Sequence, residues 1–351
     1  MAPEIADRQG QGPQASVIGW DVGGAHLKAA RVEGGRIVEV MQQPLPLWTG
    51  LKRLPKAIAA VTARMGEAAS HHVTMTAELS DIFSSRAEGV AAIAEAVAAA
   101  LPGRVRIYAG PDGLVEVGEA AGKAAAVASA NWHATARLVA LACPQALVVD
   151  MGSTTTDIIP VTDRAVAARG YSDAERMASG ELVYVGAVRT PLMALAARVP
   201  FAGRWHDVAA EYFATMADVN RLLGRLDEDA DQYPPADGKG KSAAESRVRL
   251  ARMIGSDAGD ASDAAWADLA GYFAECQIRR VHDAAALVLG AVLLGPEAPV
   301  VGCGVGRSAA AELARRLGRP HSDLAQFIPA DDPALRSRAA GFAPAVAVAL
   351  L

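Results

Sequence analysis

Val17-Ile18-Gly19-Trp20-Asp21-Val22-Gly23-Gly24-Ala25 runs from an apolar strand, through a carboxylate at the strand's end, into a glycine turn. His26 to Val32 continues as a second strand, Gly34-Gly35 supplies a hairpin turn, and Arg36 to Val40 alternates as a third. The pattern returns about 130 residues later. Ala146-Leu147-Val148-Val149-Asp150 is a buried strand ending in aspartate, Gly152-Ser153-Thr154-Thr155-Thr156 is the turn, and Asp157 to Val161 is the returning strand. A duplicated strand–acid–turn–strand unit predicts two similar α/β lobes facing one another.

Composition agrees with two lobes. A chain of 351 residues is long enough for two domains of ordinary size. Residues of the AVILMFWYC class make up 52% and charged residues 21%, which excludes a disordered polyelectrolyte. The net charge of −5 and the 5% aromatic content argue against a dedicated nucleic-acid or anionic-membrane binder. Cys143, Cys276 and Cys303 form no CxxC pair, so neither a disulfide framework nor a structural zinc site is indicated. Met1 to Gln14 is polar without a signal-peptide core, and the longest apolar stretches fall short of a membrane span or are interrupted. The expectation is a cytoplasmic protein with no membrane or nucleic-acid partner, compatible with a homo-oligomer.

Outward from the hairpins, helices are expected at 51–65 and 88–101, and strands at 73–77 and 105–109. His71 and His72 read as exposed loop. Residues 118–142 hold few helix breakers and predict one long helix or two abutting ones. Helices at 205–226 and 242–254 flank an acidic, Pro- and Gly-containing stretch, 227–241, that reads as an exposed flap. A long helix (263–294), a strand (299–303), a helix (308–317) and a final apolar helix (336–351) follow. The first lobe should span 15–143, completed by 335–351, and the second 144–334.

The turns carry the chemistry. Glycines at 23, 24 and 152 let backbone N–H groups approach an anion, and Ser153, Thr154 and Thr155 add hydroxyls. Asp21, Asp150 and Asp157 could bind a hydrated Mg²⁺, and Lys28 on the returning strand could reach the same anion. The bland alternatives are a hairpin with a surface lysine and a threonine-rich strand. A third element, Gly302-Cys303-Gly304-Val305-Gly306, joins a strand to a helix; helix–strand packing alone can require such glycines.

That ordered trio resembles the actin, sugar-kinase and DnaK-type chaperone (ASKHA) superfamily. The resemblance implies two ribonuclease-H-like lobes flanking a cleft, two phosphate loops at Asp21 and Asp150, and a nucleoside loop at Gly302, Gly304 and Gly306. Further motifs narrow it: Met75-Thr76-Ala77-Glu78-Leu79-Ser80-Asp81, Arg86-Ala87-Glu88-Gly89-Val90, Ala130-Asn131-Trp132-His133-Ala134, Gly180-Glu181-Leu182-Val183-Tyr184 and Arg189-Thr190-Pro191. These resemble the hydantoinase A/oxoprolinase-like proteins, in the branch linked to tetrahydromethanopterin-dependent one-carbon transfer and similar to methanofuran-biosynthesis condensing enzymes.

The narrower resemblance implies a transferase that joins a furanylmethyl diphosphate to the phenol of a tyramine–glutamate compound, or of tyrosine in the related methylofuran cofactor. Diphosphate leaves and an aryl ether forms. Mg²⁺ is the expected cofactor; ATP or ADP fits such loops but is not expected to be required. Lys28 and Asp150 are the expected leaving-group residues. Glu78, Asp81, His26 and His133 are candidates for accepting the phenolic proton, with no ranking among them. Asn131 and Arg189 are candidate substrate contacts, and Trp132 a packing residue. Two other classes stay open: an ATP-dependent kinase or hydantoinase/oxoprolinase-like hydrolase, and a nucleotide-switched binding protein.

Overall fold

The computed structural model describes residues 16–351. The polar stretch to Gln14, and Ala15 at the expected start of the first lobe, lie outside the described residues. Strands β1 (Val17–Val22), β2 (His26–Glu33) and β3 (Arg36–Pro44) form an antiparallel meander. Gly34 and Gly35 both take positive φ, the two-residue turn that matches strand twist. Helix α1 (Arg53–Met65) leads to β4 (Ser70–Met75), and α2 (Arg86–Ala100) to β5 (Arg104–Tyr108) and β6 (Leu114–Glu116). The sheet order is β3-β2-β1-β4-β5-β6, with β1, β4 and β5 parallel. One face packs on α1 and α2 through Leu54, Ile58, Val61, Val90 and Ile93.

Two expectations for this lobe fail. His71 and His72 are not in a loop but inside β4, on opposite faces as the strand alternation demands. His71 Nδ1 accepts a bond from Trp20 Nε1 at 3.1 Å, and His72 Nδ1 lies 2.8 Å from the carbonyl of Val348. Residues 118–142 are not one helix or an abutting pair. They divide into α3 (Val117–Ala120), α4 (Ala124–Val127) and α5 (Asn131–Ala142). The break before α5 centres on Ser129, whose φ of 53° no helix tolerates.

The second lobe repeats the plan. β7 (Ala146–Met151) and β8 (Thr156–Thr162) are antiparallel, and β9 (Ala165–Val166) pairs with β8. Helix α6 (Asp173–Ser179) follows, then β10 (Leu182–Val183), which pairs with the start of β8 on the edge away from β7, as β9 does with its end. An insertion holds β11 (Arg198–Phe201), β12 (Arg204–Asp207), α7 (Met216–Leu222) and α8 (Ala243–Arg252), built around its own core of Val199, Phe201, Leu250 and Trp266. The long α9 (Asp263–Ala291) leads to β13 (Val300–Cys303), α10 (Ser308–Leu317) and β14 (His321–Asp323). The order β10-β8-β7-β13-β14, with β7, β13 and β14 parallel, matches the meander and parallel strands of the first sheet. These are two ribonuclease-H-like lobes.

The helix expected over 205–226 is largely absent. Ala202 and Gly203 both take positive φ and turn the chain into the β11–β12 hairpin, so helix begins only at α7, where Thr215 and Asp218 form a capping box. The final helix also divides, into α11 (Pro333–Ala339) and α12 (Ala343–Leu350), joined by a tight turn ahead of Pro344. Together α5 and α12 fill the space between the two sheets, with Ala30 and Val40 on one side and Val148 and Ile159 on the other. No helix among the described residues is long and apolar enough to cross a membrane.

Gly19 is the point of closest approach. A Cβ there would strike the Ala345 carbonyl and come within 2.7 Å of Ala349. Gly19→Val should therefore lower the unfolding free energy by roughly 1–3 kcal/mol or more, the usual range for overpacking. Urea unfolding measures it, and an unchanged midpoint would contradict the docking of α12 on β1.

Candidate active site

The two hairpins have the same register. Asp21 stands opposite Lys28 on β1–β2, and Asp150 stands opposite Asp157 on β7–β8. In each turn the first glycine amide closes back: Gly23 N–H donates to the His26 carbonyl at 3.0 Å, and Gly152 N–H to the Thr155 carbonyl at 2.9 Å. Among the described residues the amides of Gly24, Ala25, Ser153 and Thr154 donate to nothing within the chain. Both turns line one cleft of about 380 Å³, so the paired anion-binding nests that the sequence leads one to expect border the same space.

At the cleft base negative charge exceeds what the side chains neutralise. Burial pushes Asp21 up to about 6, against the pull of Lys28. It pushes Asp150 up to about 7, with Asp157 adding repulsion. Asp150 Oδ2 accepts from Thr135 at 3.3 Å, while Asp21 Oδ1 is buried with no partner. Asp157, also raised by burial, is held by Arg176 at 2.8 Å. Lys28 Nζ donates to the Gly341 carbonyl at 3.1 Å, so the turn before α12 fixes it at the cleft.

A cation would satisfy the unpartnered Asp21 oxygen and relieve its repulsion with Asp150. Those two carboxylates fit Mg²⁺ held mainly through water. Asp157 does not join them as a free ligand, because Arg176 occupies it. Among the described residues no three His, Cys, Asp or Glu side chains close on one point, so a directly ligated three-residue site is not formed.

The remaining expected residues separate. His26, Asp81, Asn131 and Arg189 line the cleft with Gly23, Gly24, Gly152, Ser153, Thr154 and Thr155. The amide of Arg189 donates to the Ser153 carbonyl at 2.8 Å, and its exposed guanidinium has no acidic partner among the described residues. Burial, with Lys28 and Arg189 nearby, lowers His26 to about 4, so its imidazole is neutral. By contrast His133 is buried behind the wall, its Nδ1 2.9 Å from the Tyr108 hydroxyl; it is a satisfied core histidine and not a cleft base. Glu78 lies one layer back and reaches the cleft only through Ser129, whose hydroxyl donates to Glu78 Oε1 at 2.8 Å. Trp132 stacks under Arg176 at 4.0 Å and so supports it.

Gly302 and Gly304 do not line the cleft. A Cβ on Gly302 would lie 2.9 Å from Ala310, and one on Gly304 would strike Asp150 Oδ1 and the Met151 carbonyl. Packing of β7 and α10 therefore explains both. Gly306 instead borders a second hollow of about 520 Å³, with Val305, Asn220, Arg225 and Gln277.

Sequence reasoning missed Arg176, Trp48, Tyr184 and Ser129, all on the cleft wall. The capping box Ser172–Glu175 announces α6, yet nothing in the local sequence says that Arg176 turns inward. Residues 227–241 bridge the two lobes. Arg221 holds Asp231 at 2.7 Å, and the buried Arg249 holds Asp237 at 3.2 Å, which pins the segment from the second lobe. Its Tyr233 donates to the Ala25 carbonyl and sets its ring edge-on to His26, 5.2 Å between centroids.

Residues 70–326 match the hydantoinase/oxoprolinase family. The chain is 33% identical over 242 residues to the (4-{4-[2-(gamma-L-glutamylamino)ethyl]phenoxymethyl}furan-2-yl)methanamine synthase of Methanocaldococcus jannaschii, covering 69% of this chain and 72% of that protein. It is 40% identical over 111 residues to the synthase of the same name from Methanococcus vannielii, covering 32% of this chain and 50% of that one. A nucleotide-free structure of acetone carboxylase superposes with a TM-score of 0.54 at 11% identity, covering 87% of this chain and 67% of that one, a likeness of fold.

The raised carboxylates give a test. Asp150 in the folded protein takes up a proton where an unfolded aspartate has already lost it. Its contribution to stability therefore falls as pH rises from the ordinary aspartate value to about 7. Asp150→Asn removes that penalty. Urea unfolding without divalent cation should show the variant gaining on the wild type between about pH 4 and about pH 7. A difference independent of pH would contradict the buried, raised carboxylate.

Proposed function

This chain belongs to the hydantoinase/oxoprolinase family, and we propose that it condenses a furanylmethyl diphosphate with the phenol oxygen of a tyrosine or tyramine–glutamate compound. Diphosphate is released, and the ether product serves methanofuran or methylofuran biosynthesis. The observation that carries this reading is the pair of equivalent hairpin turns with free amides lining one cleft, together with Lys28 and Arg189. The name shared by the Methanocaldococcus and Methanococcus relatives supplies the product class.

The chemistry suits such a site. A furfuryl carbon ionises readily because the ring oxygen shares the positive charge, so the main demand on the protein is to accept charge on the departing diphosphate. In this reading the backbone amides of the two turns and the Lys28 ammonium would accept that charge. Asp21 and Asp150 would hold Mg²⁺, whose charge would neutralise the diphosphate when bound. The Tyr233 strap and Trp48 stand at the rim, where they would limit the water that could capture the carbocation.

The hollow beside Gly306 is the one observation that favours an ATP-dependent alternative, and the assay is built to distinguish it. Enzyme, Mg²⁺, furanylmethyl diphosphate and tyrosine or tyramine–glutamate are combined with and without ATP, and the coupled product is followed by mass. Coupling without ATP is expected. Coupling only with ATP, with ADP released in proportion, would overturn the mechanism. Lys28→Ala should lower kcat by roughly 10²-fold or more, as loss of a single electrostatic donor does; an unchanged kcat would remove Lys28 from the leaving-group site.

A further inference from the structure

We propose that Ser129 and Glu78 form the proton-accepting couple for the phenol, with the Ser129 hydroxyl facing the cleft and the Glu78 carboxylate behind it; this rests on the condensation proposed above. Ser129 has no local reason for its shape. It is a non-glycine residue at φ 53°, the left-handed region that side chains other than glycine's disfavour. The neighbouring chain holds it there: Ala128 bridges to Met75 at the end of β4, and Ala130 N–H donates to the Val127 carbonyl. The result is a serine that lines the cleft and donates at 2.8 Å to Glu78.

Glu78 gives the fold little in return for its burial. Only 1% of it is exposed, and its Oε2 has no partner. It caps no helix, since Ser85 caps α2 and Glu88 bonds back to Ser84. The nearby cation Arg86 is committed to Asp173 at 2.9 Å. Yet Glu78 is clamped: a Cβ on Gly89 would lie 2.7 Å from its carbonyl oxygen. Burial raises the carboxyl to about 7, opposed by the Ser129 bond and by Arg86, and reinforced by Asp173. Its proton affinity therefore lies between that of an ordinary carboxylate and that of a phenol. The rivals fall short. Burial, Lys28 and Arg189 hold His26 to about 4 against the pull of Asp231, so it takes a proton less readily than Glu78; Asp81 lies open to solvent, and His133 is turned into the core.

The step balances. The C–O bond to diphosphate breaks with its electron pair leaving on diphosphate, and the phenol oxygen forms the new C–O bond. The phenolic proton passes to Ser129 Oγ as the serine's own proton passes to Glu78 Oε1. Glu78 ends neutral and later releases the proton to water.

The test varies the phenol. Glu78→Gln keeps an acceptor for Ser129 but cannot take a proton. With a phenol of ordinary acidity, kcat should fall roughly 10²–10⁴-fold, the usual worth of a general base. With a polyfluorinated analogue already ionised at the assay pH, the loss should shrink to less than about tenfold. Ser129→Gly suits the left-handed backbone and removes the hydroxyl, so it should fold at least as well while showing the same dependence on phenol acidity. Equal losses with both phenols, or full activity of either variant, would overturn the couple. Absence of coupling by the wild-type enzyme with every phenol would overturn the condensation, and this proposal with it.

Discussion

Two aspartates, each at the end of the first strand of its lobe, are buried at the base of one cleft. That convergence is the constraint on which the rest depends. Burying one carboxylate is costly, and burying Asp21 and Asp150 beside Asp157 adds repulsion, so both are raised well above an ordinary aspartate. The chain compensates only in part. Lys28 opposes Asp21 across the hairpin, Arg176 takes Asp157, and Thr135 bonds Asp150. The arrangement leaves a place for a cation and, beyond it, amides and cations for an anion.

The frame around these charges is built to hold the hairpins face to face. Helices α5 and α12 sit between the two sheets, and α12 lies so close to β1 that only glycine fits at position 19. The turn ahead of α12 also supplies the carbonyl that anchors Lys28, and α5 supplies Thr135 for Asp150. The same helices that join the lobes therefore position the charges. Across the mouth, the strap that carries Tyr233 is pinned by Arg221 and Arg249 in the second lobe and reaches Ala25 in the first.

Much of this was legible in the chain. Alternation and glycine placement around Asp21 and Asp150 disclose both hairpins, because strand ends and tight turns are specified by a few adjacent residues. The break at Ser129 was not, since serine carries no signal for a left-handed backbone; the bridge between Ala128 and Met75 imposes it from afar. Arg176 and Trp48 reach the cleft through tertiary packing that no local spacing encodes. The β11–β12 hairpin was missed because Ala202-Gly203 is an unusual pair for its turn. His133 fell the other way: its neighbour Asn131 lines the cleft, but two positions along a helix turn a side chain to another face.

The central claim is that the two hairpin turns together hold a diphosphate. Calorimetric titration of inorganic diphosphate with Mg²⁺ into the whole protein, without nucleotide, tests it most directly. The account predicts one saturable site per chain, weakened when Arg189, the unpaired guanidinium beside Ser153, is replaced by Gln. No saturable binding, or binding indifferent to that replacement, would contradict it.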